Sequence, residues 1–367
     1  MHWVKSTRNK GDILVEEKYI SADLLVNMAT KMFIAEGLRN EDAQTIAMDL
    51  VAADLRGLAS HGVSRIPMYL SRIRLGLVTP RPDIKVTKVA PAAILIDGDN
   101  GMGFLASHKA VKVGVGLAEE TGIAIVGVRR STHFGMSACY VQQAIDSGYV
   151  SLVFTNSSPA LPPIGARVAF LGAAPFAAGI PGGNESPPYL LDMAMTVIAR
   201  GKIRVAAKNN EPIPLGLALD SEGKPTTDAA KAFAGVCLPF GGAKGAGLAM
   251  LMDLICGLFT GANYGGDVKS LYFDQSEPQN VGHTFILIKP NLFISNEELR
   301  ARMDEFYHRL INLPKADGAE RIFMPGQRES ELAVQRRVTG VPISKNILAD
   351  LKEVADKYNL SMPEIFG

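Results

Sequence analysis

The sequence predicts an α/β fold. Amphipathic helices alternate with short apolar strands between residues 93 and 155. The chain has 367 residues, enough for about two domains, and 47% of them are hydrophobic. A core of that size needs no disulfides or metals. With 38 Lys+Arg against 37 Asp+Glu the net charge is +1, which excludes a generally basic nucleic-acid binder and an acidic tail protein. Cys139, Cys237 and Cys256 are far apart and lack C-x-x-C spacing, so buried thiols in a reducing compartment are expected. No secretory signal is visible, and the most apolar run, Leu248 to Phe259, is interrupted by Asp253 and too short to span a bilayer. The expected location is the cytoplasm.

Residues 1–18 are polar and mixed in charge, and are expected to form an N-terminal extension. Ser21 can cap a helix to about Glu36, whose apolar stripe is Leu24, Leu25, Met28, Ala29 and Met32. A second helix is expected from Asn40 to Leu55, ended by Gly57, and a third from Ser64 to Leu75, with Gly76 just beyond. Ala93–Asp97 reads as a strand, Gly98–Gly101 as a turn and Ser107–Thr121 as a helix. Ile123–Val128 and Val150–Thr155 read as buried strands on either side of a helix over Ala138–Ser147. From Pro159 to Gly183 Pro and Gly cluster and the helical period vanishes. Leu190–Ile198 is apolar around one Asp, and residues 205–235 are polar and turn-rich. Gly241–Gly247 opens a helix to Phe259. A strand (Thr284–Ile288), a helix (Asn296–Ile311), a Pro325-Gly326 turn and a last helix (Ser344–Tyr358) complete the chain. The change of character divides it into modules over 19–150 and 151–330, with residues 331–367 packing back on the first.

Gly101-Met-Gly103-Phe-Leu-Ala106 matches the G-x-G-x-x-A fingerprint of dinucleotide-binding βα turns. In such a turn the glycines follow the strand directly, so that a pyrophosphate meets the helix N-terminus. Here Gly98-Asp-Asn intervenes, and Glu119 and Glu120 lie inside the next helix instead of ending a second strand. The preferred reading is a plain glycine turn.

Two histidines sit where proton chemistry is plausible by pattern. His61 lies in a Gly-flanked loop beside the Ser60 hydroxyl, and the next helix sets Arg65 and Tyr69 four residues apart on one face. A guanidinium there is a bidentate partner for a carboxylate; an exposed Arg and a packing Tyr are the alternative. His133 follows the strand Ile123–Val128, and Asn156-Ser157-Ser158-Pro159 follows the strand Val150–Thr155. Carboxyl ends of strands are where open α/β sheets hold ligands. Asp192 stands alone in an apolar run, so it pairs with a partner, a site His among the options, or lies at an edge. Gly241, Gly242 and Lys244 before an apolar helix resemble an anion cradle, but Gly245 excludes a Walker A loop; glycines serving close packing are the alternative. No H-x-x-x-H or C-x-x-C pair supports a metal site, and no G-x-S-x-G marks a hydrolase elbow.

Taken in order, five motifs resemble the type 2 malate/L-lactate dehydrogenase family from about residue 20 to the end. They are Asp54-Leu-Arg-Gly-Leu-Ala-Ser-His61-Gly-Val-Ser-Arg65-Ile-Pro-Met-Tyr69; Ser131-Thr-His133-Phe-Gly135; Asn156-Ser-Ser-Pro159; Leu191-Asp-Met-Ala194 with Ala199-Arg-Gly-Lys-Ile203; and Pro239-Phe-Gly-Gly-Ala-Lys-Gly245. The family holds malate, L-sulfolactate, ureidoglycolate and diketogulonate dehydrogenases and cyclic imino acid reductases. The resemblance implies a non-Rossmann nicotinamide-binding α/β fold of the L-sulfolactate dehydrogenase-like type with a helical N-terminal part, a homodimer, and an active site between a substrate-side and a cofactor module.

By the same resemblance His61 and His133 are the candidate acid/base residues, one or the other serving in different members. Asp192, as a lone carboxylate able to pair with a site His, is a third catalytic candidate, to stabilise the imidazolium or set its tautomer. Ser60, Arg65, Tyr69 and Ser157 are substrate candidates. Leu191, Met193, Gly241, Gly242, Lys244, Pro325 and Gly326 are candidates for NAD or NADP, and no metal is implied. Ala243 stands where many members have His or Pro, Gln327 where Glu is frequent, and Pro162–Gly165 lacks an aromatic found near it in many malate or lactate members. The implied reaction is hydride transfer between nicotinamide and a small 2-hydroxy or 2-oxo acid. A reductase of a cyclic 2-imino acid and a non-catalytic small-acid sensor are the alternatives; a metal-dependent hydrolase lacks the ligand spacing.

Overall fold

The computed structural model describes residues 17–271 and 273–366. Most of the expected extension, residues 1–16, lies outside the described residues. In chain order the elements are β1 (Glu17–Ile20), α1 (Ala22–Ala35), α2 (Asn40–Leu55), two 3₁₀ turns (Ala59–His61 and Val63–Arg65), α3 (Ile66–Arg74), β2 (Lys85–Ala90), β3 (Ala93–Asp97), α4 (Gly103–Thr121), β4 (Ile123–Ser131), α5 (Ala138–Asp146) and β5 (Val150–Thr155). Then come β6 (Pro159–Leu161), β7 (Leu171–Gly172), β8 (Phe176–Ile180), β9 (Tyr189–Met193), α6 (Arg200–Lys208), β10 (Ala218–Leu219), α7 (Ala229–Ala234), β11 (Val236–Cys237) and α8 (Ala243–Asp253), which runs into a π turn (Leu254–Leu258). The remainder is β12 (Val281–Ile288), α9 (Asn296–Ile311), α10 (Gln327–Thr339), β13 (Val341–Ser344) and α11 (Lys345–Lys357), with a final turn at Pro363–Phe366.

The chain divides into two compact units. The first takes the described chain up to Ser71, Ile180–Leu190 and the chain from Phe293 onward. Its α1 and α2 pack as a pair, and Ser21 caps α1 by accepting from the Leu24 amide. β1 pairs antiparallel with β13, α10 packs on α2, and α11 packs on the turn Val63–Arg65.

The second unit takes Arg72–Gly179 and Leu191–Leu292. Most of the seven-stranded sheet is here, in the order β2-β3-β4-β12-β5-β8-β9, and the division between units falls within its edge strand β9. β3 and β4 are parallel, and β12 runs antiparallel between β4 and β5. The apolar face of α4 packs on β4 and β12, burying Phe104, Ala110, Val111 and Leu117, while the π turn after α8 also packs on these two strands. This order brings the carboxyl ends of β4 and β5 to one edge, with the start of β12 between them.

The expected division at residue 150 falls inside this sheet, because β12 pairs with strands on both sides of that boundary. Residues 331–367 belong to the same unit as α1 and α2. α4 begins four residues before its expected start at Ser107, because Gly103 can enter the helix against a neighbouring backbone. The expected turn-rich stretch 205–235 contains the end of α6 and all of α7.

Candidate active site

The sequence around His61 folds back on itself through two successive 3₁₀ turns. Asp54, only 2% exposed near the end of α2, accepts the Val63 amide at 2.8 Å. A Cβ at Gly62 would overlap the Asp54 carboxylate, so no other residue type fits between. Burial raises the Asp54 carboxyl to about 7, offset in part by the Val63 bond and the nearby Arg336 charge. Ser60 Oγ lies 3.0 Å from His61 Nδ1, and Arg65 Nε donates to the Ser60 carbonyl. Burial, and then the Arg65 charge, lower His61 to about 4, so the ring is neutral at pH 7. Tyr69 is 2% exposed, and burial pushes its phenol well above the ordinary range, with the Arg65 charge opposing. The turn therefore assembles a neutral imidazole, a hydroxyl and a guanidinium.

The depressed His61 value has a thermodynamic consequence. Between its folded value of about 4 and its ordinary 6.5, the unfolded chain holds a proton on His61 that the folded chain lacks. This contribution to stability is whole above pH 6.5 and is lost as pH falls toward 4. The urea midpoint of the wild type is expected to fall more steeply between these values than that of His61→Ala. Parallel curves would contradict a half-buried, neutral His61.

In the second unit the loop after β4 carries His133. Its amide donates to Gln279 Oε1 at 3.3 Å, and the Gly135 amide donates to His133 Nδ1 at 3.2 Å. A ring that accepts at Nδ1 carries its proton on Nε2 when neutral. The glycine turn that mimics a dinucleotide fingerprint supports this loop. Gly103 N donates to Thr132 Oγ1 at 3.0 Å, and a Cβ at Gly103 would overlap the Thr132 carbonyl oxygen. Asp192 Oδ2 accepts the Ala138 amide at 2.8 Å, at the first residue of α5. A carboxylate is favoured at a helix N-terminus, which accounts for an Asp within an apolar strand. Asp192 is thus placed at the helix that follows the His133 loop.

Asn156 is a structural residue: its Nδ2 donates to the Asn263 carbonyl at 2.6 Å and its Oδ1 accepts the Gly282 amide at 3.0 Å. Ser157 Oγ accepts the Ala173 amide at 3.0 Å. Leu191 and Met193 flank Asp192 and point to the opposite face of β9.

The three glycines before and in α8 have different duties. Gly241 (φ +58°) and Gly242 (φ +62°) adopt left-handed backbone with open space where a Cβ would be. At Gly245 a Cβ would overlap the Phe240 carbonyl oxygen, so that glycine serves packing. Lys244 is exposed in the first turn of α8. In the first unit the Pro325-Gly326 turn is held by Leu190 N donating to the Pro325 carbonyl at 3.0 Å and by Arg56 donating to the Gly326 carbonyl at 3.5 Å. Gln327 is buried there, accepting the Met324 amide at 3.1 Å and donating to Glu331 at 3.1 Å.

The structure therefore brings Ser60, His61, Arg65 and Tyr69 together and sets Asp192 at the helix following His133. Ser157, the Gly241–Lys244 turn and the Pro325-Gly326 turn are separate features within their own units. Sequence reasoning missed Asp54, Gln279 and His283 as supports of these loops. Asp54 opens a quoted motif, and its burial at the last turn of α2 was a usable signal. His283 lay one residue before the expected strand, and Gln279 sits in an irregular loop without periodicity. Among the described residues no cluster of three or more His, Cys, Asp or Glu could hold a metal ion, and no helix is long and apolar enough to cross a membrane.

Residues 20–352 match the malate/L-lactate dehydrogenase family. The chain is 38% identical over 328 residues to the L-sulfolactate dehydrogenase of Methanocaldococcus jannaschii, covering 89% of this chain and 94% of that protein. It is 33% identical over 329 residues to the ureidoglycolate dehydrogenase (NAD(+)) of Escherichia coli K12, covering 89% of this chain and 93% of that protein. The solved structure of the sulfolactate dehydrogenase from Methanocaldococcus jannaschii superposes with a TM-score of 0.89 at 36% identity, covering 94% of this chain and 98% of that one.

Proposed function

The chain belongs to the malate/L-lactate dehydrogenase family, and we propose from that membership that it is an NAD(P)-dependent oxidoreductase of a small 2-hydroxy acid in which His61 is the proton-transferring base. The observation that carries this reading is the turn joining Ser60, His61 and Arg65. When bound, the nicotinamide supplies or accepts the hydride. Arg65 holds the acid's carboxylate and so fixes which carbon reacts. In oxidation, His61 takes the hydroxyl proton at Nε2; in reduction, the imidazolium returns it to the carbonyl oxygen. The Ser60 hydroxyl accepts from Nδ1–H in the charged form. Within the second unit, His133 keeps its proton on Nε2 and offers it as a hydrogen-bond donor, because the Gly135 amide already occupies its Nδ1. Tyr69 backs Arg65, and within the second unit Asp192 holds the segment that carries His133.

The open, left-handed Gly241-Gly242 backbone leading into an eleven-residue helix with Lys244 suits a cofactor phosphate. Leu191 and Met193, in the same unit, would add contacts to NAD or NADP. Lys244→Ala is expected to raise the KM for the nucleotide about tenfold while changing that for the acid little, as a lost charged hydrogen bond does. An unchanged nucleotide KM would leave these glycines as backbone devices only.

We further propose a homodimer. Leu248, Leu251, Leu254, Leu258 and Phe259 form an apolar row that is between 40% and 75% exposed, a face that a second copy would cover. Light scattering on the purified protein tests this. The cysteines form no disulfide with one another, consistent with a cytoplasmic location. The function itself is tested by absorbance at 340 nm with NADH and NADPH against sulfopyruvate, oxaloacetate, pyruvate and a cyclic 2-imino acid. Oxidation of either nucleotide with a 2-oxo acid is expected. Turnover with the imine alone would transfer the assignment to an imine reductase.

A further inference from the structure

His283 belongs to no part of the proposed chemistry, yet it is fully buried at the edge of the sheet that bears the His133 loop. It sits on β12 opposite Thr155 of β5 and Val128 of β4, beside an irregularity in the register at Val281–His283. Its Nδ1 lies 2.7 Å from Thr155 Oγ1 and its Nε2 lies 2.9 Å from Ser131 Oγ. One ring thus ties together the carboxyl ends of both neighbouring strands, just before His133 and Ser157. The His283 ring also stacks on Phe134, with centroids 4.6 Å apart and planes 7° apart. Phe134 is the residue after His133, and Tyr140 holds it from another side by ring contact and by donating to its carbonyl.

We infer that His283 is a positioning residue for His133: the neutral ring bridges Ser131 and Thr155 and stacks under Phe134, fixing the loop that aims His133. The inference rests on the donor role given to His133 above. A hydroxyl at each nitrogen satisfies the ring in either neutral tautomer. Burial lowers His283 to about 3, which keeps it neutral through the working pH range. No aliphatic residue can join both strands, and Phe would keep the stack while leaving two buried hydroxyls without their ring partner. The ring does not meet substrate; its effect passes through the aim of His133, where small displacements matter.

The test is a double-mutant cycle on kcat, measured with saturating nucleotide and the most active 2-oxo acid, with folding checked by circular dichroism and thermal melts. His283→Phe is expected to lower kcat about tenfold with the nucleotide KM little changed, the scale on which misplaced groups act. In a His133→Ala background the same change is expected to lower kcat by less than about twofold, because the group it aims is gone. His283→Gln, which can still bond both hydroxyls, is expected to restore most of the loss. If His283→Phe does not fold, Ser131→Ala removes one bond to the ring and takes its place in the cycle; Thr155→Val removes the other together with the Thr155 contacts to the Asn156 and Gly282 carbonyls. Equal losses in both backgrounds, or an unchanged kcat in the folded variant, would overturn the inference while leaving the role of His133 intact. A silent His133→Ala would overturn that role, and the inference with it.

Discussion

His61→Ala is expected to lower kcat by about 10²-fold or more while leaving the nucleotide KM within a small factor, the signature of a lost general acid/base. The expectation follows from the turn that Asp54 fixes: burial and the Arg65 charge keep His61 neutral at pH 7, which is the form a base needs for oxidation of a hydroxy acid. The two histidines differ in what their Nδ1 atoms meet. That of His61 faces a hydroxyl, which can accept a proton-bearing nitrogen. That of His133 faces an amide N–H, which cannot. A His133 imidazolium would place two donors against each other, which supports the proposed role of His133 as a hydrogen-bond donor. His133→Ala is therefore expected to lower kcat by roughly 10–100-fold, the range for a hydrogen bond to developing charge. A His133→Ala enzyme less active than His61→Ala would reverse the two roles.

Arg65→Lys is expected to lose about 1.5–3 kcal/mol in kcat/KM for 2-oxo acids, the range for a charged hydrogen bond. Arg65 Nε bonds the Ser60 carbonyl, which sets the plane of the guanidinium. A planar fork meets both oxygens of a carboxylate, and an ammonium on a flexible stem cannot reproduce that geometry while also holding Ser60. The loss is expected to vanish for an analogue whose carboxylate is an amide, because the wild type already handles that analogue poorly. A surface arginine would instead change stability by within about 0.5 kcal/mol and leave catalysis alone. If Arg65→Lys keeps kcat/KM for every active 2-oxo acid within about twofold, Arg65 is not the anchor.

The elements legible in the sequence are those whose own residues carry a period or a cap. Ser21 and α1, the whole of α2, β3, β5, α9 and Ser344 with α11 all fall within a residue or two of expectation. The missed elements either depend on partners distant in sequence or show no inward-facing stripe. β1 and β13 exist through their mutual pairing, and every residue of β2 is exposed, so no inward-facing residue announces it. α6 buries Ile203 alone, and its many cations hide the helical stripe. The candidate site was legible where chemistry is local, as in Ser60-His61-Gly62 and Gly241–Lys244. Its supports were not. The partner of Asp192 is a helix end 54 residues away in sequence, and His283 reaches Ser131 across 152 residues. Gly101-Met-Gly103 misleads for a related reason: Gly103 answers to the Thr132 backbone and Gly101 to the Pro82 ring.

The proposed reaction passes hydride between a nicotinamide and C2 of a small acid on this protein. The most direct measurement uses NADH and NADPH carrying deuterium at both C4 positions, incubated with the enzyme and the most active 2-oxo acid. The hydroxy acid formed is then analysed by mass spectrometry and NMR. One deuterium is expected on C2 of the product, with none at that carbon when unlabelled nucleotide is used in heavy water. A hydroxy acid whose C2 hydrogen comes from solvent, or no hydroxy acid from any 2-oxo acid tried, would contradict it.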